Sequence, residues 1–207
     1  MSAPLPRVFL ARHGDTAWTA TGQHTGRTDI PLTAAGEEEA RRLGTRLRGQ
    51  TFALVLTSPL VRARRTCELA GCGAQAVTDS DLVEWSYGAY EGRRSTEIHA
   101  ERPDWNLFRD GCPGGETAAD VGARVDRVLA RVRQVEGDIA VFAHGHLLRV
   151  FVTRWVGLPP EYGRYFLLGT AALSILGFEH NRNEPAVQLW NDTSHAGRSQ
   201  QSVGKRA

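Results

Sequence analysis

Apolar and polar positions along this chain follow two periods, and together they lay out a series of strands and helices. Residues 8–11 are an apolar run of strand length. Residues 14–32 carry glycines, threonines and Pro31 without a period and read as one long loop. A loop of that length is more often functional than idle. Thr33 suits a helix cap, and Glu37, Glu38 and Glu39 suit the early turns that follow it. Ala40, Leu43 and Leu47 then keep one apolar face at helical spacing. Residues 52–56 form a second apolar run, and Ser58-Pro59 reads as the start of a helix ending near Ala70. Residues 77–84 read as a short strand and loop. Residues 85–115, rich in aromatics, glycine and proline, read as an irregular excursion with a short helix near 96–101. Val121, Val125, Val128, Val132 and Val135 recur at steps of four and three and predict the clearest helix. A third apolar strand (139–143) precedes an apolar helix (147–156), and residues 171–178 and 186–190 read as two last strands. Residues 192–207 are polar and without pattern, so the expectation is one domain over 1–191 and a disordered tail.

Strands alternating with helices predict an α/β sandwich around a largely parallel sheet. Three of its strands run into candidate chemistry. The first ends at Arg12-His13-Gly14, the second leads to Ser58-Pro59 and Arg62, and the third ends at His144-Gly145-His146. Open α/β sheets bind ligands at the carboxyl ends of their strands, so the pattern puts these groups on one rim. A lone Arg-His-Gly after a strand carries no weight, because surface arginines and loop histidines are common. Two histidines and two arginines on one rim suit a phosphoryl group. Arginines pair its oxygens bidentately, one imidazole can attack phosphorus, and the other can stabilise charge on the oxygens. Glu84, just before the aromatic stretch 85–92, is the best-placed acid for a leaving oxygen.

Composition narrows the class. The chain has 207 residues, a net charge of only +2 and 41% hydrophobic residues, which describes an ordinary globular protein and no dedicated polyanion binder. Nucleic acid is therefore not an expected partner. Nearly every cation is an arginine, Lys205 being the only lysine, so nearly every cation can make planar two-point contacts with phosphate or carboxylate. Cys67, Cys72 and Cys112 are odd in number and lack a C-x-x-C spacing, which predicts free thiols and a reducing compartment. No leader-like segment and no run of membrane-spanning length is evident, so the expected location is cytoplasmic and no membrane partner is expected. His144 and His146 lack neighbouring acidic or cysteine ligands, no Walker or dinucleotide motif occurs, and neither a metal nor another cofactor is expected. The two last strands present an edge that a second copy could cover, which admits a homodimer.

Taken in order, Arg12-His13-Gly14 with Thr16, Ser58-Pro59-Leu60 with Arg62-Ala63 and Thr66, Glu84 before Gly88 and Glu91-Gly92, and His144-Gly145 resemble the histidine phosphatase superfamily. The resemblance covers roughly residues 7–191. It implies a phosphoglycerate mutase-like, three-layer α/β/α fold. It also implies that His13 becomes phosphohistidine, that Arg12, Arg62 and His144 complete a phosphate pocket, and that Glu84 serves as acid and then base. Residues 22–26, 84–92, 109–113, 115–117 and 144–146 with Arg149 look like the branch holding sedoheptulose-1,7-bisphosphatase-like enzymes and bacterial acid phosphatases. On that likeness Gln23, His24, Thr25, Tyr87, His146 and Arg149 line the substrate mouth, and the partner is a small phosphate ester. Only 59 residues separate Glu84 from His144, fewer than in cofactor-dependent mutases, which favours a hydrolase. A mutase, distinguished by an isomeric phosphate product, and a binding module without turnover stay open as alternatives.

Overall fold

The computed structural model describes residues 4–196. Its centre is the strand pair that the apolar runs predict. Strand β1 (Val8–Arg12) lies parallel beside β4 (Ile139–Ala143), with Arg12 opposite Ala143. Strand β2 (Leu54–Thr57) flanks β4 in parallel on the other side, and β3 (Ala76–Thr78) continues the sheet outward from β2. Antiparallel β5 (Leu173–Phe178) and β6 (Pro185–Asp192) extend it beyond β1, giving the order β3-β2-β4-β1-β5-β6 among the described residues.

The strands are apolar on both faces because both faces are covered. Val8, Leu10, Val141 and Ala143 pack against α6 (Ala118–Val132) and α7 (Gly145–Trp155). Phe9, Ala11, Ala140 and Phe142 point the other way, toward α2 (Ala34–Leu47) and α3 (Val61–Leu69). The four-and-three valine pattern is the buried face of α6, where Val121, Val125, Val128 and Val132 are all inaccessible to solvent or nearly so. These three layers are the predicted fold class, and they point the ends of β1, β2 and β4 at one rim. No helix of the described residues is long and apolar enough to cross a membrane. Cys67, Cys72 and Cys112 are free and buried.

Several local expectations shift. The loop over residues 14–32 contains a short helix, α1 (Ala17–Thr21), started by a reciprocal cap in which Thr16 and Thr19 side chains each accept from the other's backbone N–H. Five residues with no buried member leave no apolar period to detect. The excursion over residues 85–115 holds α4 (Ser95–Glu101), close to the expected helix, and a second short helix, α5 (Leu107–Asp110). Ser58 does not cap α3, which begins at Val61; the Asp29 carboxylate accepts from Val61 N–H at 2.7 Å instead. The chain also keeps its structure beyond residue 191. Asp192 accepts from Arg46 at 2.9 Å, His195 Nε2 donates to the Ala171 carbonyl at 2.9 Å, and Ala196 is buried. The rest of the expected tail, 197–207, lies outside the described residues.

Candidate active site

His13 follows β1 directly, and its backbone N–H reaches the Ala143 carbonyl of β4 at 3.0 Å, so the sheet itself fixes its position. The next turn depends on close backbone approach. A Cβ on Gly14 would sit 2.3 Å from the Gly36 carbonyl oxygen, and one on Gly36 would sit 2.1 Å from that of Asp15. Two glycines thus let the start of α2 press against the Arg-His-Gly turn. Thr66 of α3 accepts the Gly14 N–H at 3.1 Å from the opposite side.

The His13 ring is 3% exposed, and its Nδ1 lies 2.7 Å from the Gly14 carbonyl. A carbonyl only accepts, so Nδ1 carries the proton and Nε2 keeps its lone pair. Burial, reinforced by the positive charges of Arg62 and Arg12, pushes the imidazole well below its usual pKa. His13 is therefore a neutral base with a free Nε2 at physiological pH. His144, at the end of β4, packs 5.3 Å from it between ring centroids. Its Nε2 lies 2.7 Å from Ser58 Oγ, and burial with the same arginines keeps it neutral too.

Glu84 is 4% exposed and caps α7 from a distant segment. Its carboxylate accepts from Trp85 N–H at 2.8 Å, His146 N–H at 3.1 Å and Leu147 N–H at 2.9 Å. The orphan donors of a helix start are thus taken by a residue more than sixty positions earlier in the chain.

Two cavities that share much of their lining lie beside these residues. An inner one of ≈ 90 Å³ is floored by Arg12, His13, Glu84 and Gly145. An outer one of ≈ 320 Å³ extends toward Asp15, Gly22 and residues 167–170. Gln23, His24, His146 and Arg149 border both, while Thr25 and Tyr87 border the inner one, so all six expected mouth residues reach the cavity. Arg62 and His144 do not line it. Arg62 is fully buried and donates to the carbonyls of Thr28, Thr25 and Gly26 at 3.0, 3.2 and 2.8 Å, fastening one wall. Arg12 donates to the Leu168 carbonyl. Three buried nitrogens here, Arg12 Nε, Arg62 Nε and His144 Nδ1, have no hydrogen-bond partner among the described residues. A buried donor left unmade costs about 1–3 kcal/mol, and at Arg12, which lines the cavity, the oxygens of a phosphoryl group are acceptors that would offset it.

The mouth is polar but mostly neutral. Burial lowers His24 to about 4 and His146 well below its usual range, and it raises the Tyr87 phenol. Tyr87 therefore keeps its proton and donates to His146 Nδ1 at 2.5 Å. Arg149 is lowered to about 10 by burial, still charged at neutral pH, and is held by the Gly163 and Arg164 carbonyls at 2.9 and 3.1 Å. Thr19, Leu168 and Thr170 border the cavities without having been expected. The signal available for the last two was the unpatterned stretch after residue 158, which folds partly into a 3-10 turn, Pro160–Tyr165.

For a metal, Glu179, His180 and Glu184 bring ligand atoms within 4.8 Å of one another in the β5–β6 turn. None of the three borders either cavity, and His180 Nδ1 already pairs with Glu184 at 2.7 Å.

Known proteins are similar to this chain over most of its length. An acid phosphatase of Mycobacterium tuberculosis is 40% identical over 186 residues, covering 87% of this chain and 91% of its own. A sedoheptulose 1,7-bisphosphatase of Saccharomyces cerevisiae is 40% identical over 191 residues, covering 76% of this chain and 70% of its own. A solved structure of an open reading frame product from Mycobacterium tuberculosis superposes with a TM-score of 0.84 at 36% identity, covering 90% of this chain and 97% of that one. The family model described as histidine phosphatase superfamily (branch 1) matches residues 8–193, and the chain belongs to that superfamily.

Proposed function

We propose that this protein hydrolyses small phosphate monoesters through a phosphohistidine formed at His13. The observation that carries the reading is the His13 tautomer: Nδ1–H given to Gly14 leaves Nε2 as a buried, neutral nucleophile on the floor of the inner cavity. In the first step the Nε2 lone pair attacks phosphorus and the bond to the leaving oxygen breaks. Glu84, in its acid form, delivers the proton that turns that oxygen into an alcohol. The phosphorylated ring carries positive charge, which the Gly14 carbonyl stabilises through Nδ1–H. In the second step Glu84 takes a proton from water, the water oxygen attacks phosphorus, and the P–N electron pair returns to Nε2. Arg12 meets the phosphoryl oxygens from the cavity wall, Arg62 adds its positive charge from just behind that wall, and neutral His144 beside His13 offers a hydrogen-bond donor through Nδ1.

Gln23, His24, Thr25, Tyr87, His146 and Arg149 contact the rest of the substrate. Neutral donors and acceptors with one arginine fit a hydroxylated or carboxylated carbon skeleton, so sugar phosphates and phosphorylated acids are the expected substrates. Relatives named acid phosphatase and sedoheptulose 1,7-bisphosphatase support this class. The test is rapid quench with a labelled phosphate ester, followed by digestion and mass spectrometry. Label on His13 in the wild type and none in His13→Ala is the expected result. Full turnover by His13→Ala, or label on another residue, would overturn the reading. Activity surviving a strong chelator is expected as well.

A further inference from the structure

Glu84 sits in a segment that belongs to neither sheet nor helix. It follows a short 3-10 turn, Ser80–Leu82, and precedes a loop, so no regular ladder holds it. One ion pair, its side chains 10% and 17% exposed, takes up the backbone groups around it. Arg124 of α6 is 8% exposed and donates through Nη1 to the Asp81 and Val83 carbonyls at 2.6 and 2.9 Å, and through Nη2 to the Glu84 carbonyl at 3.5 Å. Its Nε and Nη2 grip the Glu116 carboxylate at 2.7 and 3.1 Å. Glu116 closes the clamp from the other side. Its Oε2 accepts from Ser86 N–H at 2.7 Å, its backbone N–H donates to the Ser86 carbonyl at 2.9 Å, and its carbonyl accepts from the Trp85 indole at 2.8 Å.

We infer that Arg124 and Glu116 are positioning residues for the proton transfer made by Glu84, an inference that rests on the function proposed above. The carboxylate is held directly by backbone N–H groups of α7, while its own backbone is held by α6 through this pair. The acid is thus stretched between two helices. Only a guanidinium can serve three carbonyls and a carboxylate at once; an ammonium lacks the planar fork of donors. Apart from a 3.5 Å contact from Arg27 to Glu116, every hydrogen bond that these two side chains make outside the pair goes to the segment from Asp81 to Ser86, as a positioning task requires.

The readout is leaving-group dependence. In the phosphorylation step a misplaced acid matters for an alkyl phosphate, whose leaving oxygen needs a proton, and matters little for p-nitrophenyl phosphate, whose leaving oxygen departs as the anion. Hydrolysis of the phosphohistidine, where Glu84 acts as base, is common to both substrates, so the comparison is made on kcat/KM, which reports on phosphorylation alone. Arg124→Lys and Glu116→Gln are each expected to lower kcat/KM on glycerol phosphate by roughly 10- to 100-fold, and to lower kcat/KM on p-nitrophenyl phosphate far less. In a Glu84→Gln background neither substitution should lower kcat/KM further. A purely structural role would lower both substrates equally and would persist in Glu84→Gln; either outcome overturns the inference. If Arg124→Lys unfolds at the assay temperature, Glu116→Gln, which preserves shape, carries the same test. Glu84→Gln alone separates the two layers of argument. If it shows no leaving-group effect, the role of Glu84 itself falls. If it shows the effect and the clamp variants do not, only the positioning inference falls.

Discussion

At the scale of single residues, the buried imidazoles are the sharpest feature. His13 and His144 stand side by side, both neutral, each fixed through one nitrogen by an oxygen of its own surroundings. For His13 the expected outcome is direct: histidine NMR should find Nδ1 protonated and Nε2 bare, unchanged from neutral pH down through the usual imidazole range. A His13 that titrates at an ordinary pKa would contradict the geometry. Ser58 supplies a second test. Its hydroxyl takes the Leu60 N–H at 3.3 Å and can donate its own proton to His144 Nε2. Ser58→Ala leaves that buried nitrogen unpaired, at a cost of about 1–3 kcal/mol. Chemical denaturation should read the loss, together with a fall in kcat as the His144 tautomer loses its anchor.

At the scale of elements, the site is made by helix starts and strand ends meeting. α2 reaches the Arg-His-Gly turn only because residue 36 has no side chain. Gly36→Ala forces a Cβ against the Asp15 backbone, which has no free end to swing away. About 1–3 kcal/mol of destabilisation is expected, with a larger loss of activity than of stability, because the backbone that must shift adjoins His13. Thermal melting and steady-state kinetics on the same variant check both parts. The strands and the long helices were legible in the chain because burial on one or two faces writes a period into the sequence. The helix starts were not. α3 is capped by Asp29 and α7 by Glu84, each from another segment, and neither cap leaves a local signature.

At the scale of the whole molecule, four histidines share one consequence. His13, His24, His144 and His146 all have folded pKa values below the ordinary imidazole value. Above pH 6.5 they are neutral both folded and unfolded and cost nothing. Below it the unfolded chain binds protons that the native fold refuses, so the native state loses ground as pH falls. Each such group contributes up to about 1.4 kcal/mol per pH unit until its folded pKa is reached, which for His24 is about 4. The melting temperature should be level from pH 8 to 7 and fall with growing slope from 6.5 toward 5. A flat profile through that window would show that these rings are accessible to protons. Substituting His24, at the edge of the cluster, should soften the slope.

The sequence by itself determined the layers, the parallel centre of the sheet and the rim where Arg12, His13, Arg62 and His144 come together, because each follows from apolar periods and from what stands at their ends. It also carried the motif order by which the family is recognised. Which atoms face the cavity was decided by tertiary structure. Arg62 turns its donors to the carbonyls of the 25–28 wall, His144 pairs with Ser58, and Glu84 hangs between α6 and α7. Hydrogen-bond partners of buried polar groups are chosen by distance in space, and nothing in a local pattern encodes them.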